Sequence, residues 1–300
     1  MPELSLLFVN YNCAALIRRC IASAQPFLSS ASEIVVVDNA SQPEDLQELE
    51  RISGLVVIKS ATNLGFGNAM NLAAASAQGR RIVLMNPDLV VESDIFTPLQ
   101  QHLDEDSNCA LSAPTLIDEH GHSIHSWNTP ESILWEFVKT HYLQGFWRHA
   151  TLKHFQKRYG TTKPWPVGFV MGACMCLDRE VFLELGGFDT RFFMNGEDVE
   201  LCDRIWAQGR SVHLLPWLSL RHDEGGVQRS NWRRYMFHRF QAFWNYDDTR
   251  YRGWRLLIAR FFWFESLALR LGIGACFCPK AQRSRLGGYL DALRWVTGRK

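Results

Sequence analysis

The chain has 300 residues, 47% of them apolar and 21% charged, which excludes disorder and leaves room for one large or two small domains. The net charge of +1 hides a division: residues 1–228 carry 17 Lys and Arg against 27 Asp and Glu, and residues 229–300 carry 15 against 4. The total therefore describes neither part, and the basic C-terminal part is expected to meet an anionic surface.

In chain order, Leu4–Val9 is an apolar run that ends in polar Asn10-Tyr11-Asn12. It is too short for a signal-peptide core and lacks a basic flank, so the expected compartment is the cytoplasm. A helical pattern follows, with Leu16, Cys20, Ile21 and Ala24 on one face. Ile34–Val37 is β-branched and ends at Asp38-Asn39-Ala40-Ser41, and Leu55–Ile58 is a third run. Gly65-Phe66-Gly67 opens an Ala-rich helix through Ala77, and Ile82–Met85 ends at Asn86-Pro87-Asp88. Continuous apolar strands alternating with helices predict a mostly parallel sheet covered on both faces, with ligands beyond the carboxyl ends of the strands. The polar clusters Asn10–Asn12, Asp38–Ser41 and Asn86–Asp88 fall at those ends.

Asp118–Gly121 reads as a hairpin turn between Leu111–Ile117 and Ser123–Trp127, which assigns His120, His122 and His125 to a hairpin rather than to zinc. Residues 128–165 are aromatic and basic and carry no motif; Trp165 is either a stacking face for a sugar ring or a core ring. Glu197–Gln208 is an amphipathic helix with Leu201, Ile205 and Trp206 inward, followed by a strand at Val212–Leu215. In the basic part, Trp232, Met236, Phe240, Phe243 and Trp244 recur at helical spacing beside Arg233, Arg234 and Arg239. A second helix, Trp254–Leu271, is apolar but interrupted by Arg255, Arg260, Glu265 and Arg270. Those charges exclude a membrane span and suit a helix lying in the membrane interface, or else one packed on the rest of the chain. No DNA or RNA motif accompanies the positive charge, so no nucleic-acid partner is expected.

Three chemistries are excluded directly. The first turn, Asn10-Tyr11-Asn12-Cys13, lacks the Gly-x-Gly-x-x-Gly of a dinucleotide fold, and no phosphate-binding loop with its Gly-Lys-Ser/Thr ending occurs. The eight cysteines are scattered, and neither Cys174-Met175-Cys176 nor Cys276-Phe277-Cys278 has redox or zinc-knuckle spacing, so all are expected reduced.

An ordered series of motifs carries a resemblance: Val9–Asn12, Val37–Ser41, Asn63–Asn71, Leu84–Asp88, Gly168–Ala173, Gly186–Asp189, Asn195–Arg204 and Leu220-Arg221-His222. Together they resemble the inverting family 2 glycosyltransferases of GT-A fold, over roughly residues 4–230, and within them the bacterial rhamnosyltransferases of lipopolysaccharide core and O-antigen assembly. The resemblance implies an α/β fold with a Rossmann-like, mostly parallel sheet. It implies a catalytic domain at 1–228, with a nucleotide-sugar half at about 1–110 and an acceptor half at about 111–228. Residues 229–300 would then form a basic, aromatic, amphipathic helical segment at the membrane surface.

By the same resemblance, Val9, Asn10, Tyr11, Asp38, Asn63, Gly65, Phe66, Gly67, Asn71 and Asn86 bind the nucleotide sugar. Asp88 and His222 hold a divalent cation, Mg2+ or Mn2+, and Asp198 is the catalytic base. Trp165, Gly172 and Glu197 position the acceptor. Each residue also has a plainer reading: Asp38 as a turn aspartate, Gly65–Gly67 as close helix–strand packing, Glu197 and Asp198 as first-turn carboxylates favoured by the helix dipole, His222 as a structural histidine. Two positions depart from the family pattern. Asn86 stands where a first metal-motif carboxylate is usual, and Met70 where many relatives carry Arg, which would remove a phosphate contact. The implied partners are a nucleotide-sugar donor, dTDP-β-L-rhamnose by subgroup, a lipid-linked saccharide acceptor, and an anionic membrane at the inner face of the cytoplasmic membrane. The alternatives are transfer of another hexose from a UDP or GDP donor and a non-catalytic sugar-nucleotide-binding assembly protein.

Overall fold

The computed structural model describes residues 2–129, 138, 144–223, 232–277 and 283–298. They fall into two compact units: residues 1–130, 152–190 and 197–224 form the first, and 131–151, 191–196 and 225–300 the second. The second unit thus takes in two segments that precede the composition break at 228.

The first unit is a mixed sheet covered by helices. Its elements begin with β1 (Leu4–Asn10), α1 (Ala14–Ala24), β2 (Ser32–Asp38), α2 (Pro43–Glu50), β3 (Leu55–Lys59), α3 (Phe66–Ser76) and β4 (Arg81–Met85). They continue with β5 (Leu89–Val90), α4 (Phe96–Glu105), β6 (Cys109–Ile117), β7 (Trp127–Asn128), the part from Leu152 onward of α5 (Gln144–Tyr159), β8 (Trp165–Pro166) and β9 (Phe169–Val170). Last come β10 (Cys174–Asp178), α6 (Arg179–Glu184), α7 (Glu197–Ala207) and β11 (Ser211–His222). The sheet order is β3-β2-β1-β4-β10-β6-β11-β5, with β8 paired to β11. β1 to β4 are parallel neighbours, β10 runs antiparallel between β4 and β6, and β11 is parallel to β6.

The apolar runs alternate between faces as the strand period of two requires. Leu6, Phe8, Val36, Val83 and Cys176 join α1, α2 and α4 on one face. Leu7, Val35, Val37, Leu84 and Met175 join α3, α6 and α7 on the other. This double cover is why the strands read as continuous apolar stretches. Small residues bring α3 close to the sheet: Ala69, Ala73 and Ala74 are buried, and so is Met70. Position 70 faces this core, so in this chain it presents no polar group to a ligand. The described cysteines Cys13, Cys20, Cys109, Cys174, Cys176 and Cys202 are free and buried; the side chains of Cys276 and Cys278 lie outside the described residues.

Two strand expectations need correction. The turn at 118–121 forms, but the returning chain meets β6 only through the Ile117–Ser123 bridge, and Trp127–Asn128 then pairs with Phe169–Val170. β11 runs to His222 rather than stopping at Leu215, because a bulge between Leu215 and Ser219 absorbs Pro216 and lets pairing with β6 resume.

The second unit is built on α8 (Trp232–Arg250), α9 (Trp254–Phe277) and α10 (Arg283–Thr297). Phe240, Trp263, Leu267 and Ala292 form its core, with Phe237, Phe243, Trp244 and Tyr289 packed against it. The α8 aromatics are therefore mainly core rings and not a membrane face; the side chain of Trp232 lies outside the described residues. Arg260 stacks over Trp244, donates to its carbonyl at 2.9 Å, and pairs with Asp248. A guanidinium engaged in this way is not available to headgroups, contrary to the expectation for Arg260. Among the described residues no helix is long and apolar enough to cross a membrane.

Candidate active site

The site assembles at the carboxyl ends of β1, β2 and β4, where helix N-termini also converge. Asn10 is fully buried at the end of β1. Its amide nitrogen faces Asp38 Oδ1 at 2.8 Å, Asp45 Oδ2 at 2.7 Å and Ser41 Oγ at 3.0 Å, while its Oδ1 accepts from the Cys13 N–H at 3.2 Å. Asp45, in the first turn of α2, uses its other oxygen to accept from the Ala14 N–H at 3.0 Å and so caps α1. Asp38 also accepts from the Ser41 N–H at 3.3 Å, the bond of a turn aspartate. The network fixes two loops that hold non-glycine residues in the left-handed region, Asn12 at φ 56° and Ala40 at φ 64°. Such a conformation costs roughly 1–2 kcal/mol at an alanine. The half-buried ring of Tyr11 lies in this rim beside the buried Val9.

Asn39 laces the next loop into place. Its Oδ1 accepts from the Leu64 N–H at 2.8 Å, and its amide donates to Asn63 Oδ1 at 3.1 Å and to the Gly65 carbonyl at 3.2 Å. Asn63 in turn accepts from the Gly65 N–H at 2.9 Å. Gly65 sits at φ 84° immediately before α3, a conformation that favours glycine and aims the helix N-terminus at the site. A Cβ on Gly67 would stand 3.0 Å from Phe188 Cβ and 3.5 Å from Glu197 Cβ, so this glycine lets α3 approach the mouth of α7. Phe66 and Phe188 meet at 6.1 Å between ring centroids.

Asn71 holds both polar groups of Phe188, accepting its N–H at 2.7 Å and donating to its carbonyl at 2.8 Å. The structure thus gives Asn71 the task of clamping the Gly186–Asp189 loop. Gly187 is in the left-handed region at φ 68°, and a Cβ there would lie 2.4 Å from Asn71 Oδ1. Arg204 ties the same loop to α7: its Nε is 2.8 Å from Glu200 Oε1, its Nη2 donates to the Gly187 carbonyl at 2.7 Å, and its Nη1 donates to the Leu185 carbonyl.

Asp198, half-buried in the first turn of α7, accepts from the Gly172 N–H through Oδ2 at 2.8 Å. A Cβ on Gly172 would lie 3.3 Å from Asp198 Cβ, so glycine permits this approach. One residue on, the Ala173 carbonyl accepts from the Asn86 N–H at 2.8 Å, which links the base candidate to the 86–88 segment through adjoining backbone. Glu197 is buried beside Gly67. Asp88 Oδ1 and His222 Nε2 lie 3.0 Å apart although the residues are 134 positions apart in sequence. The antiparallel pairing of His222 with Leu89 creates that contact. His222 is buried, and its Nδ1 has no hydrogen-bond partner. A carboxylate and an imidazole presented together are a donor set that fits a divalent cation, with the Asn86 side chain one residue from Pro87 on the same turn. Burial pushes the Cys13 and Cys20 thiols up to about 12, so neither is a nucleophile at neutral pH.

Trp165 is not brought to this site. It is 3% exposed, packs edge-on against Trp127 at 5.2 Å, and donates its indole N–H to the Gly160 carbonyl at 2.7 Å. A ring so enclosed offers no face to a sugar, and its core reading is the correct one. Sequence reasoning missed Asp45, Asn39 and Arg204; for Arg204 the i, i+4 spacing from Glu200 was the available signal. It also missed Asp223, whose N–H donates to the Asp88 carbonyl at 3.0 Å and whose carboxylate meets Arg19 at 3.0 Å and Arg221 at 3.2 Å. The residues that follow it, Glu224 through Gly226, lie outside the described residues.

A GT-A sheet with a carboxylate–imidazole pair and a helix-borne aspartate at its ligand end defines a class of nucleotide-sugar enzymes. Residues 5–186 match the profile of Glycosyl transferase family 2, and the chain belongs to that family. A low-salt glycan biosynthesis hexosyltransferase, Agl10, of Haloferax volcanii is 26% identical over 228 residues, covering 75% of this chain and 68% of that protein. The N-acetylglucosaminyl-diphospho-decaprenol L-rhamnosyltransferase of Mycobacterium tuberculosis is 23% identical over 281 residues, covering 89% of this chain and 91% of that protein. Among solved structures, the mannosyltransferase PcManGT of Pyrobaculum calidifontis, in complex with GDP-Man and Mn2+, superposes with a TM-score of 0.59 at 16% identity, covering 100% of this chain and 88% of that one. GalNAc-T7 with UDP, GalNAc and Mn2+ gives a TM-score of 0.57 at 17% identity over 92% of this chain, which spans 58% of that structure.

Proposed function

We propose that the protein is an inverting rhamnosyltransferase, moving L-rhamnose from dTDP-β-L-rhamnose to a lipid-linked saccharide of lipopolysaccharide core or O-antigen assembly, at the inner face of the cytoplasmic membrane. The observation that carries transfer chemistry is Asp198, held by the Gly172 N–H beside the segment that presents Asp88. In the reaction, Asp198 takes the proton of the acceptor hydroxyl as that oxygen bonds to the anomeric carbon. The nucleoside diphosphate departs from the opposite face with the electrons of the broken C–O bond. Glu197 and the Gly172 backbone orient the base, and the N-terminus of α3 together with the Tyr11 rim holds the donor. A divalent cation held by Asp88 and His222, with Asn86 beside them, would neutralise charge on the departing diphosphate. The rhamnose assignment is supported by the Asn86-Pro87-Asp88 motif and by the mycobacterial L-rhamnosyltransferase, whose likeness covers 89% of this chain.

Membrane docking is supported by one face of α9. Trp254, Leu257, Phe261 and Phe264 recur at helical spacing and are 64%, 70%, 63% and 41% exposed, while Ala259, Trp263 and Leu267 on the other face are buried. An apolar stripe on a basic helical unit suits the headgroup region of an anionic bilayer.

The test is nucleotide release from a panel of dTDP, UDP and GDP sugars with Mg2+ or Mn2+. The reading expects dTDP-L-rhamnose to turn over fastest and release to fall in Asp88→Ala. Fastest release from a UDP or GDP hexose would replace rhamnose with that hexose, and no release from any donor would leave a non-catalytic binder.

A further inference from the structure

A second cluster of ligating side chains lies at the opposite ends of the strands. Cys109 opens β6, which runs in the same direction as β1 and β4 because β10 is antiparallel to both β4 and β6. The start of β6 therefore faces away from the strand ends that carry Asn10 and Asn86. His102 comes from the last turn of α4, and His213 from the start of β11, next to β6. One ligand atom from each of the three residues lies within 4.8 Å of the others. His102 Nε2 and His213 Nδ1 are 2.8 Å apart, and Asp106 Oδ2 stands 3.7 Å from the same His213 nitrogen. Cys109 is buried, and its Sγ points to the Leu111 carbonyl at 3.2 Å.

We propose that His102, Cys109 and His213 form a binding site for one borderline-soft divalent cation, of which Zn2+ is the best match. Two imidazoles and a thiolate are the donor set such ions prefer, whereas the hard ions suited to the Asp88 pair favour oxygen. A tetrahedral Zn2+ with bonds of about 2.0–2.3 Å keeps its ligand atoms roughly 3.3–3.6 Å apart. The nitrogen pair therefore has to open by about half an ångström, a small rotation of two partly exposed rings. The fourth position is left to solvent, with the Asp106 carboxylate beside His213 as a neighbouring charge. Burial holds both imidazoles below the ordinary histidine range, which keeps them neutral with a lone pair to give. On binding, the Cys109 thiol loses its proton to solvent, and the proton now shared between the rings moves to the outer nitrogen of its own ring. The bound ion would join the end of α4 to β6 and β11, independently of the transfer reaction.

Titration of the metal-free full chain with Co2+ tests this. The expected result is a thiolate-to-cobalt charge-transfer band in the near ultraviolet, saturating at one equivalent and abolished by competing Zn2+. Cys109→Ala should lose the band, His213→Asn should weaken binding by at least about 10–100-fold, and Asp88→Ala should retain it in full. Should Cys109→Ala fail to fold, Cys109→Ser removes the same ligand at nearly constant volume. No band in the wild-type chain, or an undiminished band in the Cys109 variants, overturns the proposal. A wild-type chain that shows the band but releases nucleotide from no sugar donor would count against the active-site reading alone.

Discussion

The sheet unit buries polar side chains where a core would be apolar, and the helical unit exposes apolar side chains where a surface would be polar. Asn10, Asp38, Asn39, Glu197 and His222 are buried at the strand ends, and Trp254, Leu257 and Phe261 stand open on α9. Both arrangements run against the free energy of folding in isolation, since buried polar groups need partners and exposed rings forgo burial. The sheet unit offsets most of its cost internally, through side-chain networks that tie its loops together, with His222 Nδ1 left unpartnered. The helical unit leaves its cost unresolved on one face of α9 while packing the other. The contrast separates a preorganised site from a surface that gains stability only by meeting something apolar.

The sharpest way to break this comparison is at the base. Asp198→Asn keeps the shape of the side chain and should lower sugar transfer by about 10²–10⁴-fold in a steady-state assay; wild-type turnover would remove preorganised chemistry from the sheet unit. Next comes the α9 face. Leu257→Glu with Phe261→Glu withdraws two large side chains, each worth about 1.5–3 kcal/mol when buried, so vesicle partitioning should fall by more than tenfold with no change in Tm. A large fall in Tm instead would mean that the face is already covered within the protein.

Asn71→Leu leaves the Phe188 N–H and carbonyl without their partner, and should cost about 1–3 kcal/mol by denaturant titration. A neutral result would show that the loop does not depend on its clamp. The smallest effect is expected at Ala40. Ala40→Gly removes a left-handed alanine and should stabilise the chain by roughly 0.5–1 kcal/mol, a rise in Tm of a few degrees at most. Destabilisation would indicate that the Ala40 methyl contributes packing to the nucleotide rim.

Long continuous elements were legible because burial on both faces writes itself into the sequence: β1, β2 and β4 follow directly from Leu4–Val9, Ile34–Val37 and Ile82–Met85. The two-residue strands β5, β7, β8 and β9 left no pattern, since two residues cannot display a period. The apolar run Val212–Leu215 is interrupted at Pro216, whereas in β11 a bulge carries pairing past it to His222. At the site, the order of motifs named Asp88, Asp198 and His222, and the β5–β11 register explains why two of them meet. Composition could not reveal that Met70 and Trp165 face the core, nor that Arg260 is engaged by Asp248 and Trp244. Those outcomes depend on which neighbours the fold supplies, and neighbours distant in the chain leave no trace in local spacing.

The contact at Gly67 has a practical consequence for redesign. Because the start of α3 and the start of α7 share a wall less than one side chain thick, a pocket remodelled for a bulkier donor at Phe66 or Gly67 presses on Phe188 and Glu197. With the donor on α3 and Asp198 as the base, as proposed above, donor preference and the aim of that base would be mechanically geared. Libraries that vary α3 alone should yield mostly slow enzymes, and those that vary 66–67 together with 188 and 197 should recover speed along with the new specificity.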